Sequence, residues 1–354
     1  MTGLLRSLIS TPSLSRHEDA TASIIEQWLA GRGATPRRTG NNVWALSRPY
    51  NPALPTLMLN SHHDTVGPAE SYTIDPYTPL EADGKIYGLG SNDAGASVVS
   101  LCAAFTGLLG HTLPLNLLLA ISAEEEVGGE GGMRALLPAL EAEGIRIDAA
   151  IVGEPTGMQP AVGERGLVVL DCTTTGEAGH AARGEGVNAI YRAMADIDTL
   201  RQYRFPEESA TLGPVTLNIT QIEAGSRHNV IPDTCRWVVD VRTTDAYSNE
   251  ATAAMLQAAV SPYTSAVPRS TRVRASVIDT VHPLVRAAVA LGGDPFVSPT
   301  TSDMSLMPFP SVKIGPGDSA RSHRADEYIR LDELAEAPDF YTNLILNLGH
   351  PHPL

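Results

Sequence analysis

Along the first 160 residues, short runs of consecutive apolar residues alternate with stretches in which apolar residues recur every three or four positions. An uninterrupted apolar run is typical of a strand buried on both faces, and the three-to-four spacing is typical of a helix with one buried face. Strands alternating with helices predict an α/β layered sheet whose strands are mostly parallel. The predicted strands are residues 56–60, 115–122 and 149–153, and the predicted helices are residues 17–32, 94–109 and 131–145.

The pattern changes after residue 164, where apolar and polar residues alternate one by one, as in strands with one exposed face. This segment predicts the order βαββαβ, a ferredoxin-like domain inserted into a larger α/β domain. The larger domain is expected at residues 1–164 and 278–354, and the inserted domain at residues 165–277. The predicted elements of the inserted domain are strand 167–176, helix 188–200, strands 214–223 and 235–243, helix 249–260 and strand 272–277.

Composition and charge narrow the classes of function. The chain has 354 residues and a formal net charge of −15, and this acidic excess disfavours a nucleic acid or an anionic membrane as a partner. The cysteines Cys102, Cys172 and Cys235 are scattered, so neither a disulfide framework nor a cysteine zinc site is indicated. No apolar run approaches the ~20 residues of a membrane span, and the N-terminus lacks a signal peptide's apolar core. We expect a soluble, cytoplasmic protein.

Each strand predicted for the larger domain ends in side chains that bind metals or transfer protons. The carboxyl ends of parallel strands meet at one edge of a sheet, where the sites of open α/β sheets form. Carboxylates crowded there repel one another unless cations lie among them. Imidazole and carboxylate without thiolate favour zinc, cobalt or manganese. The side chains concerned are His62, His63, Asp64, Asp93, Glu124, Glu125, Glu126, Glu154 and His323.

The segments that carry these side chains resemble the M20 family of zinc peptidases and amide hydrolases. The motifs occur in the same order over nearly the whole chain, as "SHHDTV", "YGLGSNDAG", "AEEEVGG", "GEPT" and "GPGDSARSHRADEYI". The resemblance implies a zinc-peptidase-like α/β catalytic domain, in which the ferredoxin-like insertion is the dimerisation or lid domain. It also implies two divalent metal ions, zinc or cobalt, as cofactors.

The matched motifs imply a role for each residue of the catalytic domain. Glu125 matches the general base, and Asp64 matches the acid that orients His62 through its other ring nitrogen. Asp93 matches the carboxylate shared by the two ions. His63, between the two matched residues, is not a ligand. The other implied metal ligands are His62 and Glu154 on one ion, and Glu126 and His323 on the second.

The inserted domain carries the residues that the resemblance assigns to substrate. In "GEAGHAARGEGVNAI", His180 matches a histidine that reaches across a homodimer to polarise the scissile carbonyl. Asn229 and Arg242 match residues that contact substrate, and the fork of an arginine suits a carboxylate. Arg165 is a further candidate for that carboxylate. The alternative for Arg242 is a surface ion pair on a strand.

The resemblance implies hydrolysis of an N-acyl amino acid, with deacetylation of N-acetylornithine in arginine biosynthesis as the expected activity. N-acetylcitrulline, N-succinyl amino acids, succinyl-diaminopimelate and dipeptides are the alternative substrates. The family's Asp-Met-Lys-Gly reads Asp93-Ala94-Gly95-Ala96 here, which leaves the subfamily open. A metal-free binding or scaffold module of the same fold is the alternative from another class, although the predicted ligand set is complete. Other histidines, among them His350 and His352, are expected to be structural or exposed.

Overall fold

A computed structural model of the chain describes residues 1–348, so His350 and His352 lie outside the described residues. The chain divides into two compact units. Unit 1 comprises Met1–Val162, Ile278–Val297 and the chain from Ser302 onward, and unit 2 comprises Gly163–Val277 and Ser298–Thr301. The sequence pattern instead assigns residues 298–301 to the larger domain. None of the helices within residues 1–348 combines the length and apolar content that crossing a membrane requires.

Strands and helices alternate through most of the chain. Before unit 2, the helices are α1 (Thr2–Ile9), α2 (Asp19–Ala30), α3 (Ala96–Gly107) and α4 (Met133–Ala142), and the strands are β1 (Arg37–Thr39), β2 (Asn42–Leu46), β3 (Thr56–His62), β4 (Leu80–Ala82), β5 (Lys85–Tyr87), β6 (Asn116–Ser122), β7 (Ala149–Val152) and β8 (Ala161–Glu164). Next follow β9 (Gly166–Thr175), β10 (Gly179–His180), α5 (Ala189–Gln202), β11 (Thr216–Ala224), β12 (Val230–Ile231), β13 (Thr234–Thr243), α6 (Asn249–Ala259), β14 (Thr264–Pro268) and β15 (Ser276–Val277). The last elements are α7 (Pro283–Ala290), β16 (Phe296–Ser298), β17 (Ser311–Lys313), β18 (Tyr328–Arg330) and α8 (Leu331–Asn347).

The main sheet of unit 1 has a parallel centre and antiparallel edges. Its central strands are parallel in the order β6-β3-β7-β17. At one side β2 and then β1 extend the sheet antiparallel, and at the other side β17 pairs antiparallel with β8. This mixed sheet with flanking helices confirms the predicted α/β class.

Successive residues of the central strands pack on opposite faces of the sheet. In β3, Leu57 and Leu59 join the hydrophobic cluster that contains residues of α3 and α8, whereas Met58 joins the cluster that contains Leu136 of α4. Every residue of β3, β6 and β7 is buried, because helices cover both faces. The parallel orientation then brings the polar residues that follow each strand to one edge of the sheet.

Unit 2 contains the predicted order βαββαβ, formed by β9, α5, β11, β13, α6 and β14. Its four strands form an antiparallel sheet in the order β11-β13-β9-β14, which is the ferredoxin-like arrangement. Alternate residues of β13, among them Trp237, Val239 and Val241, are buried in a cluster with residues of α5 and α6. The alternation of apolar and polar residues in the sequence therefore reflects a sheet with helices on one face.

The last strand of this arrangement lies earlier than predicted. The structure places it at β14, paired with β9, whereas within residues 272–277 only Ser276–Val277 forms a strand, which pairs with β8. The prediction of a strand over 272–277 is therefore wrong for the ferredoxin-like sheet. β14 is an edge strand, and Pro268, which has no N–H to donate, is tolerated at such an edge.

Candidate metal centre

The predicted ligands of unit 1 lie at the carboxyl ends of its parallel strands or in turns beside them. His62 is the last residue of β3, and Glu154 follows β7 by two residues. Glu125 and Glu126 follow β6, and His323 belongs to the segment between β17 and β18. Asp93 lies in the turn before α3, where the Asp93–Ala94 peptide bond is cis. Each ligand therefore depends on a different element of one sheet edge.

One group of side chains gathers around His62. The Nε2 atom of His62 lies 3.2 Å from Oδ1 of Asp93 and 3.6 Å from Oε1 of Glu154. The His62 side chain is 1% exposed, and both carboxylates are mostly buried. These are the three side chains that the sequence assigns to one ion.

A second group gathers around His323, at the rim of the centre. The Nε2 atom of His323 lies 3.1 Å from the carboxylate of Glu126 and 3.7 Å from Oδ2 of Asp93. Asp93 therefore directs one carboxylate oxygen towards each histidine, as expected of the carboxylate predicted to be shared. Donor atoms of His62, Asp93 and Glu126 also lie within 4.8 Å of one another.

Electrostatics show why this group of residues suits cations. Burial raises the pKa of Glu154 to about 8 and also raises the pKa values of Glu125 and Glu126, since desolvation disfavours the charged carboxylate. Burial, the largest effect on His62, lowers its pKa, but Asp64, Asp93 and the nearby glutamates together raise it well above its usual value. Divalent cations would offset both the desolvation of these carboxylates and the repulsion between them. The imidazole and carboxylate donors fit zinc or cobalt.

The three consecutive glutamates point to different partners. Glu124 has a left-handed φ of 54°, and its Oε2 accepts a hydrogen bond from the N–H of Gly131 at 3.2 Å. Oε2 of Glu125 lies 4.0 Å from Nε2 of His62, whereas Glu126 approaches His323. Glu125 therefore borders the predicted ligand set.

Asp64 has more contacts than the sequence indicates. Nδ1 of His62 lies 3.0 Å from the backbone carbonyl oxygen of Asp64 and 3.4 Å from its Oδ1. The Asp64 carboxylate also accepts hydrogen bonds from the backbone N–H groups of Glu125 at 3.0 Å and Glu126 at 3.2 Å, and from the Ser15 hydroxyl at 2.7 Å. One buried carboxylate thus joins the end of β3 to the turn after β6.

His63 is held away from the ligand set. Its Nδ1 lies 2.9 Å from the hydroxyl of Thr21, and its Nε2 lies 3.0 Å from the carbonyl oxygen of Asn41. Burial lowers the pKa of His63, so the neutral imidazole is favoured. These contacts give His63 a structural place within unit 1.

Two buried acids near the centre were not predicted from the sequence. Oδ2 of Asp303 accepts a hydrogen bond from the Ser122 hydroxyl at 2.6 Å, and burial raises its pKa to about 6. Glu327 accepts hydrogen bonds from the turn that carries Asp93, and burial raises its pKa to about 8. Asp303 belongs to none of the motifs that resemble the family. The only sequence signal was the position of Glu327 in the same motif as His323.

Two of the predicted substrate residues lie together within unit 2. His180 ends β10 and pairs with Val230 of β12, next to Asn229. The N–H of Ala181 donates to the carbonyl oxygen of Asn229 at 3.1 Å, and Nδ1 of His180 accepts from the N–H of Ala182 at 3.2 Å. The His180 side chain is exposed, so its ring is accessible within the unit.

The two candidate arginines are both engaged inside unit 2. Arg242 forms a two-point ion pair with Asp240, with Nε to Oδ1 at 2.8 Å and Nη2 to Oδ2 at 3.1 Å. Arg165 donates to the carbonyl oxygens of Pro214 at 2.9 Å and Leu212 at 2.6 Å. A substrate carboxylate would therefore compete with Asp240 for Arg242, whereas Arg165 supports the loop before β11.

The known proteins that resemble this chain in sequence include peptidases and enzymes that remove acyl groups. The sequence profile of peptidase family M20/M25/M40 matches residues 58–347. The chain is 30% identical to succinyl-diaminopimelate desuccinylase 2 of Ruegeria sp. (strain TM1040), over 70% of this chain and 66% of that enzyme. It is 28% identical to acetylornithine deacetylase of Edwardsiella ictaluri, over 97% of this chain and 96% of that enzyme.

Solved structures share the fold over almost the full length. Aminopeptidase PepT from Bacillus cereus superposes with a TM-score of 0.78 at 19% identity, over 98% of this chain and 97% of that chain. The YXEP protein of Bacillus subtilis, described as a dinuclear metal binding peptidase from the M20 family, superposes with a TM-score of 0.72 at 17% identity, with the same coverage of both chains. At these identities the likeness concerns the fold alone.

Proposed function

This chain belongs to peptidase family M20/M25/M40, and from that premise we propose that it uses two metal ions to remove the acyl group from an N-acyl amino acid. The observation that carries the proposal is the position of Asp93, with Oδ1 3.2 Å from His62 and Oδ2 3.7 Å from His323. The residues that would hold one ion are His62, Glu154 and Asp93, and those that would hold the second are Glu126, His323 and Asp93.

Two divalent cations, when bound, supply Lewis acidity that polarises the amide carbonyl and lowers the pKa of a water molecule towards neutrality. Glu125 accepts a proton from the attacking water molecule while the oxygen of that water bonds to the carbonyl carbon. Glu125 then delivers that proton to the amide nitrogen as the carbon–nitrogen bond breaks. The products are a carboxylic acid and a free amine. The raised pKa of the buried Glu125 carboxyl suits a group that must take up and release a proton.

The substrate residues of unit 2 complete the proposal. His180 donates a hydrogen bond to the oxyanion that develops from the carbonyl, and it does so from the second subunit of a homodimer. Arg242 binds the α-carboxylate of the amino acid by exchanging Asp240 for the substrate, and Asn229 also contacts the substrate. The guanidinium of Arg165 already donates to backbone carbonyls, so a single arginine is available among these candidates.

A single available arginine favours a substrate with one carboxylate, and N-acetylornithine is therefore the proposed substrate. A succinyl group adds a second carboxylate, and this carboxylate strengthens binding only if a dedicated residue binds it. The acidic chain, with a net charge of −15, also favours the cationic side chain of ornithine. Succinyl-diaminopimelate is the second candidate, because a relative 30% identical to this chain carries that activity in its name.

The test is kcat/KM for N-acetylornithine, N-acetylcitrulline, their N-succinyl counterparts and succinyl-diaminopimelate, measured with zinc-loaded protein. We expect N-acetylornithine to be cleaved best, and we expect chelation to abolish turnover until zinc or cobalt is returned. A preference of ~10-fold or more for a succinyl substrate, equivalent to about 1.4 kcal/mol, would reject the acetyl assignment. Full turnover by metal-stripped protein would reject the metal mechanism.

A further inference from the structure

Glu327 lies outside the proposed ligand set, yet its carboxylate contacts the turn that carries Asp93. Oε1 of Glu327 accepts hydrogen bonds from the backbone N–H groups of Asn92 and Asp93, both at 2.8 Å. Oε2 accepts a third from the N–H of Gly90 at 2.9 Å. Glu327 is 3% exposed, so solvent does not compete for these bonds. Three backbone donors of one short turn therefore depend on one buried carboxylate.

The backbone of Glu327 is itself fixed by strand pairing. Glu327 directly precedes β18, which pairs with β5, and its carbonyl oxygen accepts a hydrogen bond from the N–H of Gly88 at 2.9 Å. The neighbouring Asp326 accepts one from the N–H of Thr73 at 2.9 Å. The segment that carries His323 four residues earlier thus ends in a well-anchored strand.

Asn92 joins the same two segments in the opposite direction. Its Nδ2 donates to the carbonyl oxygen of Asp318 at 3.1 Å, and its Oδ1 accepts from the N–H of Asp318 at 3.0 Å. A side chain at Gly317 would prevent this contact, because a Cβ atom there would lie 2.3 Å from Oδ1 of Asn92. One side chain from each segment therefore connects the turn of Asp93 to the segment of His323.

We propose that Glu327 is a positioning residue for the ion assigned to Asp93, Glu126 and His323, and that it sets the affinity of this ion. The inference rests on the proposed function, because it takes the metal ligands from there. Glu327 fixes the turn of Asp93 through buried hydrogen bonds from three backbone N–H groups, and it lies on the same segment as His323. Its loss would loosen two of the three ligands of this ion relative to each other.

The other ion should depend on Glu327 much less. Two of its ligands, His62 at the end of β3 and Glu154 just after β7, are positioned by central strands whose pairing does not involve Glu327. Only Asp93 is shared between the two ions. The two sites should therefore respond unequally to a change at Glu327, which a uniform loss of stability would not produce.

The experiment uses Glu327→Gln in the full chain. Glutamine keeps the size of the side chain, but its NH₂ group cannot accept a hydrogen bond, so part of the Gly90–Asp93 turn loses its partner. Zinc is titrated calorimetrically into metal-stripped protein in the presence of a competing chelator. We expect one of two zinc ions to bind about 10- to 100-fold more weakly than in the wild type, while the other changes less than about three-fold.

The matched control is Asp196→Asn in unit 2. Asp196 is also a buried carboxylate with three hydrogen bonds, from the N–H of Ser261 at 2.8 Å, the hydroxyl of Ser261 at 2.9 Å and the hydroxyl of Thr264 at 2.5 Å. All of the proposed metal ligands lie in unit 1, whereas Asp196 lies in unit 2. We expect this variant to unfold at a lower temperature and to bind both zinc ions as the wild type does.

Each outcome has a distinct meaning. Wild-type affinity for both ions in Glu327→Gln would overturn the inference, even if the variant unfolded earlier. If Asp196→Asn weakened zinc binding as much as Glu327→Gln does, the inference would also be overturned, because the loss of any buried hydrogen-bond acceptor would then be enough. A wild-type protein that binds fewer than two zinc ions would contradict the proposed function itself, and the inference with it.

A second measurement covers the case in which Glu327→Gln does not fold. Amide hydrogen exchange is followed by mass spectrometry in metal-free wild-type protein, in peptides that span residues 88–95. Because Glu327 holds the turn before any ion binds, we expect these amides to be protected without zinc. Full exchange within the shortest labelling time would overturn the inference.

Discussion

At the residue scale, Asp64 decides how neighbouring glutamates differ in chemistry. Its carboxylate accepts hydrogen bonds from the backbone N–H groups of both Glu125 and Glu126, so the turn after β6 has a fixed register. Within that register Glu125 approaches His62 and Glu126 approaches His323. A shift by one residue would exchange the proposed general base and the proposed ligand.

The register can be tested with two single substitutions. Glu125→Gln removes the group that accepts and returns the proton, so kcat should fall at least ~10²-fold while the zinc content stays near two per chain. Glu126→Gln weakens a ligand instead, so it should lose one zinc ion. Both are measured by steady-state kinetics with elemental analysis of the same samples. The reverse pattern would show that the two roles are exchanged.

The sequence predicted a ligand set but not the residues that contact its backbone. His62, Asp93, Glu126, Glu154 and His323 belong to motifs of chemically distinctive side chains, and such motifs can be found in a single sequence. Glu327 acts on backbone N–H groups more than 200 residues away, such as that of Asp93. Because every residue except proline has such an N–H group, no side-chain pattern marks this interaction.

At the element scale, the strands that were predicted best are those buried on both faces. The short, uninterrupted apolar run of β3 predicts a buried strand, and every residue of that strand is buried. β14 was missed because its short sequence, TSAVP, contains little apolar surface and ends in proline. Its place is set by pairing with β9 at the edge of the sheet, a tertiary contact that local pattern does not encode.

The close contact between the residues that follow β7 and β17 gives a prediction at this scale. A Cβ atom at Gly315, after β17, would lie 2.4 Å from the carbonyl oxygen of Glu154 and 2.4 Å from Oγ of Ser97. Because backbone cannot move aside cheaply, Gly315→Ala should lower the free energy of unfolding by about 1–3 kcal/mol. The measurement is the unfolding midpoint in urea for metal-free protein.

Gly107→Ala is the matched control for this substitution. A Cβ atom at Gly107, the last residue of α3, would meet no atom within 4 Å, and alanine favours the helix by up to ~1 kcal/mol. Its midpoint should stay the same or rise. A Gly315→Ala variant as stable as the wild type would show that the strand ends are not packed as described.

At the scale of the whole molecule, the metal centre joins distant parts of the chain inside unit 1. Four of the five proposed ligands precede unit 2 in sequence, and His323 follows it. The order of motifs predicted this convergence, because parallel strands deliver their ends to one edge. The roles proposed for His180 and for a homodimer depend on contacts with a second chain. The alternation of apolar and polar residues in unit 2 predicts the sheet of that unit but not such contacts.

We infer that one edge of the unit 1 sheet binds two metal ions that share Asp93. The most direct measurement is anomalous diffraction at the zinc edge from crystals of zinc-loaded protein. We expect two peaks about 3.5–4 Å apart, one against His62 and Glu154 and the other against Glu126 and His323, with Asp93 between them. A single peak, or peaks away from these side chains, would contradict it.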